Sequence, residues 1–347
     1  MAPDDRATLA FVRRLAHDVL QRSPTPREVG AMVGMPVPRV VDFLLGRPEA
    51  FQQWVEEELY YFLLIDRFRP RTDAIADLPK RLHERRTHAR DAIAEILLSP
   101  GFSLRNPGND TFVTVVLEQC LGMRVQDRRN RRVLEAGKAM YDGGRTKLFG
   151  VEGQSQTDVV RITLAQREFA ATLLDRHHQR LFGAPLVTGR RPDEATAAVI
   201  DRMHEQPGEF FAILAEWFAS ERYRDGVAVA KPRTDRQFVR SLYMDVLERE
   251  PTYDEIRNMR NALQSMADAT PLRAVMVKVM LDSPRAKVPQ LEEQEPAAFV
   301  RECFRRYLGR EPRQTESAEY AAALEAGRAE PRHVVRALLG SVEYQFY

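Results

Sequence analysis

The chain has only two cysteines, Cys120 and Cys303, in 347 residues, so a disulfide framework is excluded. It contains no apolar stretch of the length that crosses a membrane, and its first residues carry acids instead of the apolar core of a secretory signal. Neither charge dominates, because 52 lysines and arginines nearly balance 50 acidic residues. No overall field favours nucleic acid or membranes, and we expect a cytoplasmic protein without a membrane span.

Signatures of catalysis are missing as well. The chain has neither a glycine-rich phosphate loop nor a Gly-x-Ser-x-Gly turn. His177, His178 and Asp175 could be imagined as metal ligands, but adjacent histidines point to different sides of a helix. Cys120 and Cys303 lie on predicted apolar faces, which is typical of small core residues. We therefore predict a protein that is not an enzyme, with no catalytic residues, no cofactor and no metal site.

The chain does contain a fourteen-residue phrase that occurs three times without a gap, at residues 11–24, 238–251 and 299–312. Phenylalanine, valine, arginine, leucine, arginine and proline recur in it at identical offsets. Its structural landmarks are Phe11, Pro24, Phe238, Pro251, Phe299 and Pro312. Chance matching rarely produces such a phrase three times, so the sequence predicts an array of repeats.

A second phrase marks the ends of repeats: two branched apolar residues, then paired leucines, then serine or glycine. Clear and weaker copies lie near residues 40–48, 93–100, 159–169, 210–223, 275–284 and 334–344. Steps of roughly 50 to 67 residues between repeats suit a unit of about three helices. We predict an all-α fold, an array of about five or six such helical units.

Local signals predict the helices within one repeat. Apolar residues of the opening helix are spaced i, i+4 and i+8, as in Phe11, Leu15 and Val19, so they share one face. After the proline turn, a threonine and a glutamate three residues later form a capping box for a second helix in the first two clear repeats. In the last repeat Thr315 is followed by Ala318 at that spacing, which predicts a weaker cap.

Charged residues recur within the phrase. Asp18 and Arg22 are four residues apart, as are Asp245 and Arg249, which is the spacing of an ion pair along one helix. We favour that interpretation over a repeated binding pocket. Arg13, Arg240 and Arg301 are predicted to reach carbonyl groups at a helix C-terminal end within their own units.

Composition divides the chain into four segments. Residues 1–70 form the first helical unit, and residues 71–230 contain divergent units with a glycine-rich insertion near 141–153. Residues 231–290 form one helical unit and residues 291–347 the C-terminal one. Proline and charged residues separate the last two from the rest.

The last repeat, with residues 307–312 and its closing phrase at 334–344, resembles the linker domain of cyanobacterial phycobilisomes. It equally resembles related helical repeats of unknown function in bacterial surface proteins. Residues 11–28 are also similar to an uncharacterised planctomycete domain that often accompanies cytochromes. The resemblance is poor between residues 102 and 227. It implies an all-helical module used in assemblies, without established catalytic residues.

Two groups of residues are candidates for interaction. Tyr344 ends the last closing phrase, and Phe346 and Tyr347 follow it. No further unit covers these three residues, so the fold caps them or another subunit does. The arginine-rich candidates are Arg128, Arg129, Arg131 and Arg132. Nearby acidic residues favour a solvated or protein-facing helix over a phosphate track.

These patterns predict a structural, assembly or scaffold protein that acts through protein–protein interaction or self-assembly. One alternative is a nucleic-acid-associated helical protein that uses the arginine-rich helices. A second alternative is an enzyme whose site lies in the divergent middle region.

Overall fold

The computed structural model describes residues 5–63, 73–189, 191–291 and 295–347. The chain is 69% helical, and within these ranges the only sheet has two strands. The all-α class predicted from apolar spacing is therefore confirmed, while the number of repeats stays a prediction. No helix in these ranges is long and apolar enough to span a membrane.

The elements follow one another in chain order. The α-helices are α1 Leu9–Leu20, α2 Pro26–Met32, α3 Val37–Leu45, α4 Pro48–Leu63, α5 Asp73–Ala76, α6 Leu78–His83, α7 Ala89–Leu97, α8 Pro100–Arg105, α9 Gly108–Leu121, α10 Arg131–Tyr141, α11 Gln156–Leu164, α12 Arg167–Phe182, α13 Glu194–Glu205, α14 Phe210–Ala219, α15 Glu221–Gly226, α16 Asp235–Leu247, α17 Tyr253–Gln264, α18 Thr270–Leu281, α19 Pro296–Cys303, α20 Gln314–Glu325 and α21 Pro331–Leu339. The strands are β1 Thr146–Leu148 and β2 Val151–Gly153. Helix α19 continues into a π-helical turn at Phe304–Leu308.

The described residues form two compact units, which we call lobe 1 and lobe 2. Lobe 1 contains those within Met1–Leu44 and Arg224–Tyr347, and lobe 2 those within Leu45–Tyr223. The first clear repeat therefore joins the last two, although about 200 residues separate them along the chain. The predicted boundary after residue 70 lies outside the described residues.

In lobe 1 the opening helices of the three clear repeats, α1, α16 and α19, meet directly. Arg13 donates to the carbonyl oxygens of Arg306 and Tyr307, the latter at 2.8 Å. These carbonyls end a helix of the last repeat, so the prediction that Arg13 bonds within its own unit is wrong. Ser23 donates its hydroxyl to Asp245 at 2.9 Å. These contacts place residues from the two ends of the sequence in one core.

The three clear repeats turn in the same way after the opening helix. Gln21, Glu248 and Gly309, each ten residues after the repeat phenylalanine, have left-handed backbone with φ of 55°, 52° and 72°. Only glycine adopts this conformation without strain, so the two other residues are held there by their surroundings. The shared turn supports the alignment of the three phrases.

The arginine after this turn forms a clamp on the second helix. Its guanidinium binds a glutamate six residues later through two hydrogen bonds of 2.7 to 2.9 Å, in the pairs Arg22–Glu28, Arg249–Glu255 and Arg310–Glu316. The same carboxylate accepts the amide of the helix cap at 2.7 to 2.8 Å. Bonding to the arginine lowers the pKa of Glu255 and of Glu316 to about 2.

The last repeat does have the weaker cap, because Arg313 makes no side-chain cap hydrogen bond, but the prediction placed this cap two residues too late. Helix α20 begins at Gln314, so Arg313 occupies the cap position and Glu316 supplies the glutamate. Thr315 lies one residue inside the helix, and the spacing from it to Ala318 carries no capping information. The bidentate clamp from Arg310 fixes which residue starts the helix.

The core of lobe 1 is a continuous apolar cluster. Phe238 and Phe299, at equal offsets in their repeats, are both fully buried in it. Tyr344 and the closing residues Val335 and Leu339 pack in the same cluster. The repeated apolar positions therefore face one interior, as their helical spacing predicts.

In lobe 2 the glycine-rich segment near 141–153 forms an antiparallel hairpin of β1 and β2 between α10 and α11. The sequence does not reveal these strands, because three residues are too few to show alternation. Gly153 is required there, since a Cβ would come within 2.7 Å of the Asp158 side chain.

Candidate functional site

The aromatic residues that end the last repeat are held by lobe 1 itself. Tyr344 is fully buried and donates its hydroxyl to Asp245 at 2.7 Å, while Tyr347 donates to Asp18 at 3.0 Å. Phe346 is 39% exposed. Of the two alternatives for these residues, the fold itself caps Tyr344 and Tyr347.

Backbone pairing explains this difference. Lys231 exchanges two hydrogen bonds of 3.0 Å with Tyr347, and the amide of Arg233 donates to Gln345 at 2.8 Å. The segment before α16 thus draws residues 345–347 onto the lobe. A sequence pattern limited to one repeat contains no signal for this distant pairing.

The predicted i,i+4 pairs are also replaced. Asp18 forms an ion pair of 3.0 Å with Arg14, one turn earlier. Arg22 instead binds Glu28 in the clamp. Asp245 accepts hydrogen bonds from Ser23 and Tyr344 instead of pairing with Arg249. The recurring aspartate accepts hydrogen bonds in the interior, because the arginine four residues later is bound to the glutamate of the clamp.

These contacts form a polar centre inside lobe 1. Its members are at most 7% exposed: Arg13, Arg14, His17, Asp18, Arg22, Ser23, Arg233, Gln237, Arg240, Ser241 and Asp245. Burial lowers the pKa of His17 well below its ordinary value, and Arg233, whose Nη2 lies 3.3 Å from Nε2 of the ring, lowers it further. The histidine is neutral. These side chains are shielded from solvent, so the centre fits a structural role.

Lobe 2 has a second buried polar group around Glu58. Arg176 donates to this carboxylate at 2.6 Å, and Nε2 of His177 lies 3.5 Å from it. Burial would raise the pKa of Glu58, but Arg176 and His177 together lower it. Burial lowers the pKa of His177 to about 4.

The neighbouring histidine has different partners. Arg222 approaches Nε2 of His178 at 3.1 Å, so Nδ1 carries the proton and donates to the carbonyl of Ala184 at 2.7 Å. His177 and His178 therefore do not converge on one point. No cluster of at least three His, Cys, Asp or Glu residues is placed to hold a metal in the described ranges. Cys120 and Cys303 are buried, which raises the pKa of both thiols.

Acid should weaken lobe 2 through His177. Its pKa is about 4 when folded and 6.5 ordinarily, so this contribution is complete above about pH 6.5 and is lost as the pH falls towards 4. We expect lobe 2 to lose about 2 kcal/mol of stability between about pH 7.5 and pH 5 from this group. Both tryptophans, Trp54 and Trp217, lie in lobe 2, so urea unfolding followed by tryptophan fluorescence measures it.

The control is half-buried His204 in the same lobe. His177→Gln should flatten the dependence of stability on pH, and His204→Gln is the matched substitution at a less buried histidine. Equal pH dependence in both variants would contradict a neutral buried His177.

The arginine-rich candidates are on the surface of lobe 2. Arg128, Arg129, Arg131 and Arg132 are all exposed where α10 begins. Arg129 lies 3.3 Å from Asp127, whereas the other three have no carboxylate within 4.0 Å among the described residues. By contrast, Arg81 and Arg86 pair with Glu95 and Glu84, both at 2.6 Å.

Lobe 1 also has an open groove of about 380 Å³ between the first and last repeats. Its lining residues are Leu9, Pro24, Pro26, Val29 and Gly30 from the first repeat and Ala298, Arg301, Glu302, Arg305 and Arg306 from the last. Apolar groups dominate one wall and charged groups the other. This volume lies within the range of ligand sites.

Gly30 keeps the groove open. A Cβ added there meets no atom within 4 Å. The corresponding positions, nineteen residues after the repeat phenylalanine, hold Arg257 and Ala318 in the other two repeats. Sequence reasoning missed this site, although that difference between the repeats was a readable signal.

We therefore take the groove as the candidate functional site, with the arginines before and within α10 as a second surface. Neither protein-family models, nor curated proteins, nor solved structures match this chain.

Proposed function

We propose that this protein is a non-catalytic assembly or scaffold protein that acts by binding another protein. The groove of lobe 1 carries the proposal, because it combines an apolar wall with charged groups at its edge. Protein-binding surfaces commonly have an apolar centre and a polar rim. The resemblance of the last repeat to phycobilisome linker domains supports the same function.

The buried charged groups agree with a structural role. The clamps and the polar centre of lobe 1 use their hydrogen bonds within the fold. The hydrogen bonds that Arg22, Ser23 and Tyr344 make there favour one packing arrangement. They fix the positions of α1, α2 and α19, and so they hold the groove walls.

A photo-crosslinking experiment tests the proposal. A benzoylphenylalanine in place of Ala298, which is exposed in the groove, should give a discrete protein adduct in the cells that make the protein. The same group in place of Ala274, exposed on α18 in the same lobe, is the control. An adduct of twice the chain's mass would indicate self-assembly.

The adduct is then identified by mass spectrometry and tested as a purified pair by calorimetry. Binding by that pair supports the proposal. Equal crosslinking from both positions, together with a monomer in light scattering and no binding by the purified pair, would refute it.

The arginines at the start of α10 favour a second candidate, a nucleic-acid-associated protein. Arg128, Arg131 and Arg132 have no acidic partner in the described part of the chain, so they are free to meet phosphates. The test uses a fluorescein-labelled single strand of about ten to twenty nucleotides, a typical site size for such proteins. Binding that weakens steeply with salt and is lost when these three arginines become glutamate would favour this candidate over the first.

A further inference from the structure

We propose that the groove of lobe 1 binds an acidic amphipathic helix of a partner protein, with apolar side chains in the groove and carboxylates on Arg301 and Arg305. This inference rests on the proposed function and specifies its partner. It follows from the floor of the groove, from the charge at its edge and from the spacing of the two arginines.

The floor selects apolar side chains. Leu9, Pro24, Pro26 and Val29 line it with carbon atoms, and none of them offers a side-chain hydrogen bond. Polar groups placed against such a wall lose their water without gaining a partner. Apolar groups gain free energy in proportion to the area they bury there.

The edge selects negative charge. The side chains of Arg301 and Arg305 are 63% and 52% exposed. Both form ion pairs with the same carboxylate, that of Glu311, at 3.6 and 3.4 Å. Two guanidinium groups offer ten N–H donors in total, more than one carboxylate accepts. Unused donors on an exposed pair of arginines complement further carboxylates at close range.

Among the described residues that line the groove, Glu302 is the only acid, against three arginines. Arg306, the third of these, is occupied with Glu248 at 3.1 Å and with backbone carbonyls. The free donors are thus concentrated on Arg301 and Arg305. A basic segment would meet like charges at this edge, which disfavours it.

The spacing selects a helix. Arg301 and Arg305 are four residues apart, one helical turn along α19 and its π-helical continuation. Carboxylates one turn apart on a partner helix have the same repeat distance, and apolar residues at i, i+3 and i+4 form the adjoining face. A single small anion meets the arginines but leaves most of the apolar wall in water.

The test begins with a displayed library of random sixteen-residue peptides selected on the full-length protein. Enriched peptides should carry acidic residues beside apolar residues at helical spacing. The best peptide, labelled with fluorescein, is then titrated with each protein variant by fluorescence polarisation.

Gly30→Leu fills the groove and leaves the charges in place. The open space at Gly30 and the better helix propensity of leucine predict an intact fold, which a circular dichroism melt verifies. We expect binding to weaken by about tenfold or more, the equivalent of about 1.4 kcal/mol. Gly226→Leu is the matched control, since Gly226 is also a helical residue beside open space but lies outside the groove. It should change binding by less than about twofold.

Arg301→Glu combined with Arg305→Glu reverses the charge at the edge of the groove. The double variant should weaken binding by about tenfold or more, and added salt should weaken binding to the unaltered protein. Arg328→Glu, at an exposed arginine outside the groove, is the control.

The outcomes separate the two proposals. Enriched peptides without acidic residues, or binding unchanged by both groove variants, would overturn this inference and leave the scaffold function standing. Failure of the scaffold function would appear as no protein adduct at position 298 and no purified partner that binds.

Discussion

Phe238→Ala and Phe299→Ala should each lower the free energy of unfolding of lobe 1 by about 3 to 5 kcal/mol, the usual cost of emptying a buried phenylalanine site. Both rings are fully buried in the apolar cluster of lobe 1. They occupy the same offset in their repeats, so the two losses should be alike. Urea unfolding followed by far-ultraviolet circular dichroism measures them.

Phe43 provides the matched control. It lies on α3 in the same lobe and is 48% exposed. Phe43→Ala should change stability by less than about 1 kcal/mol, because little apolar area is lost. If only one of the two core variants unfolds early, the alignment of the second and third clear repeats is wrong at that position.

The repeat phrase predicted much of this fold correctly because it combines signals that act locally. The spacing of Phe11, Leu15 and Val19 describes one helix face, and all three residues are buried. The capping boxes of Glu28 and Glu255 involve residues three positions apart, within reach of sequence inspection. Such short-range features need no knowledge of the tertiary structure.

Long-range contacts account for what the sequence did not predict. Asp18 and Arg22 have the spacing of an ion pair, but Arg22 finds Glu28 and Glu250, each at 2.9 Å. A bidentate carboxylate that also caps a helix outcompetes a single pair along α1. Which carboxylate binds Arg22 therefore depends on where α2 and the second repeat lie in the tertiary structure.

The groove illustrates the same limit. Its two walls come from residues 9–30 and 298–306, which no local pattern connects. The sequence alone shows that Gly30 stands where the other two repeats have a residue with a side chain. Only the position of α19 shows that this glycine lines a groove. The exposure of the arginine candidates was easier to predict, since runs of arginine on a helix without apolar spacing are typical of a surface.

Tyr344→Ala should destabilise lobe 1 by about 3 to 5 kcal/mol, as expected for an emptied aromatic site in a core. The ring is fully buried, packs edge-on against Phe238 and lies under the guanidinium of Arg233 at 4.1 Å. Tyr344→Phe keeps the ring and removes the hydroxyl, so Ser23 is the one side-chain donor that Asp245 retains in the described part of the chain. Its expected cost is about 1 to 3 kcal/mol, the penalty for a buried polar group that loses a partner.

The control for this series is Phe346, which the fold leaves 39% exposed. Phe346→Ala should cost less than about 1 kcal/mol. Thermal melts give the stabilities, and sedimentation gives the assembly state of each variant. A core role for Tyr344 requires early melting with the assembly state unchanged. Loss of assembly at unchanged stability would instead support the alternative that Tyr344 contacts another subunit.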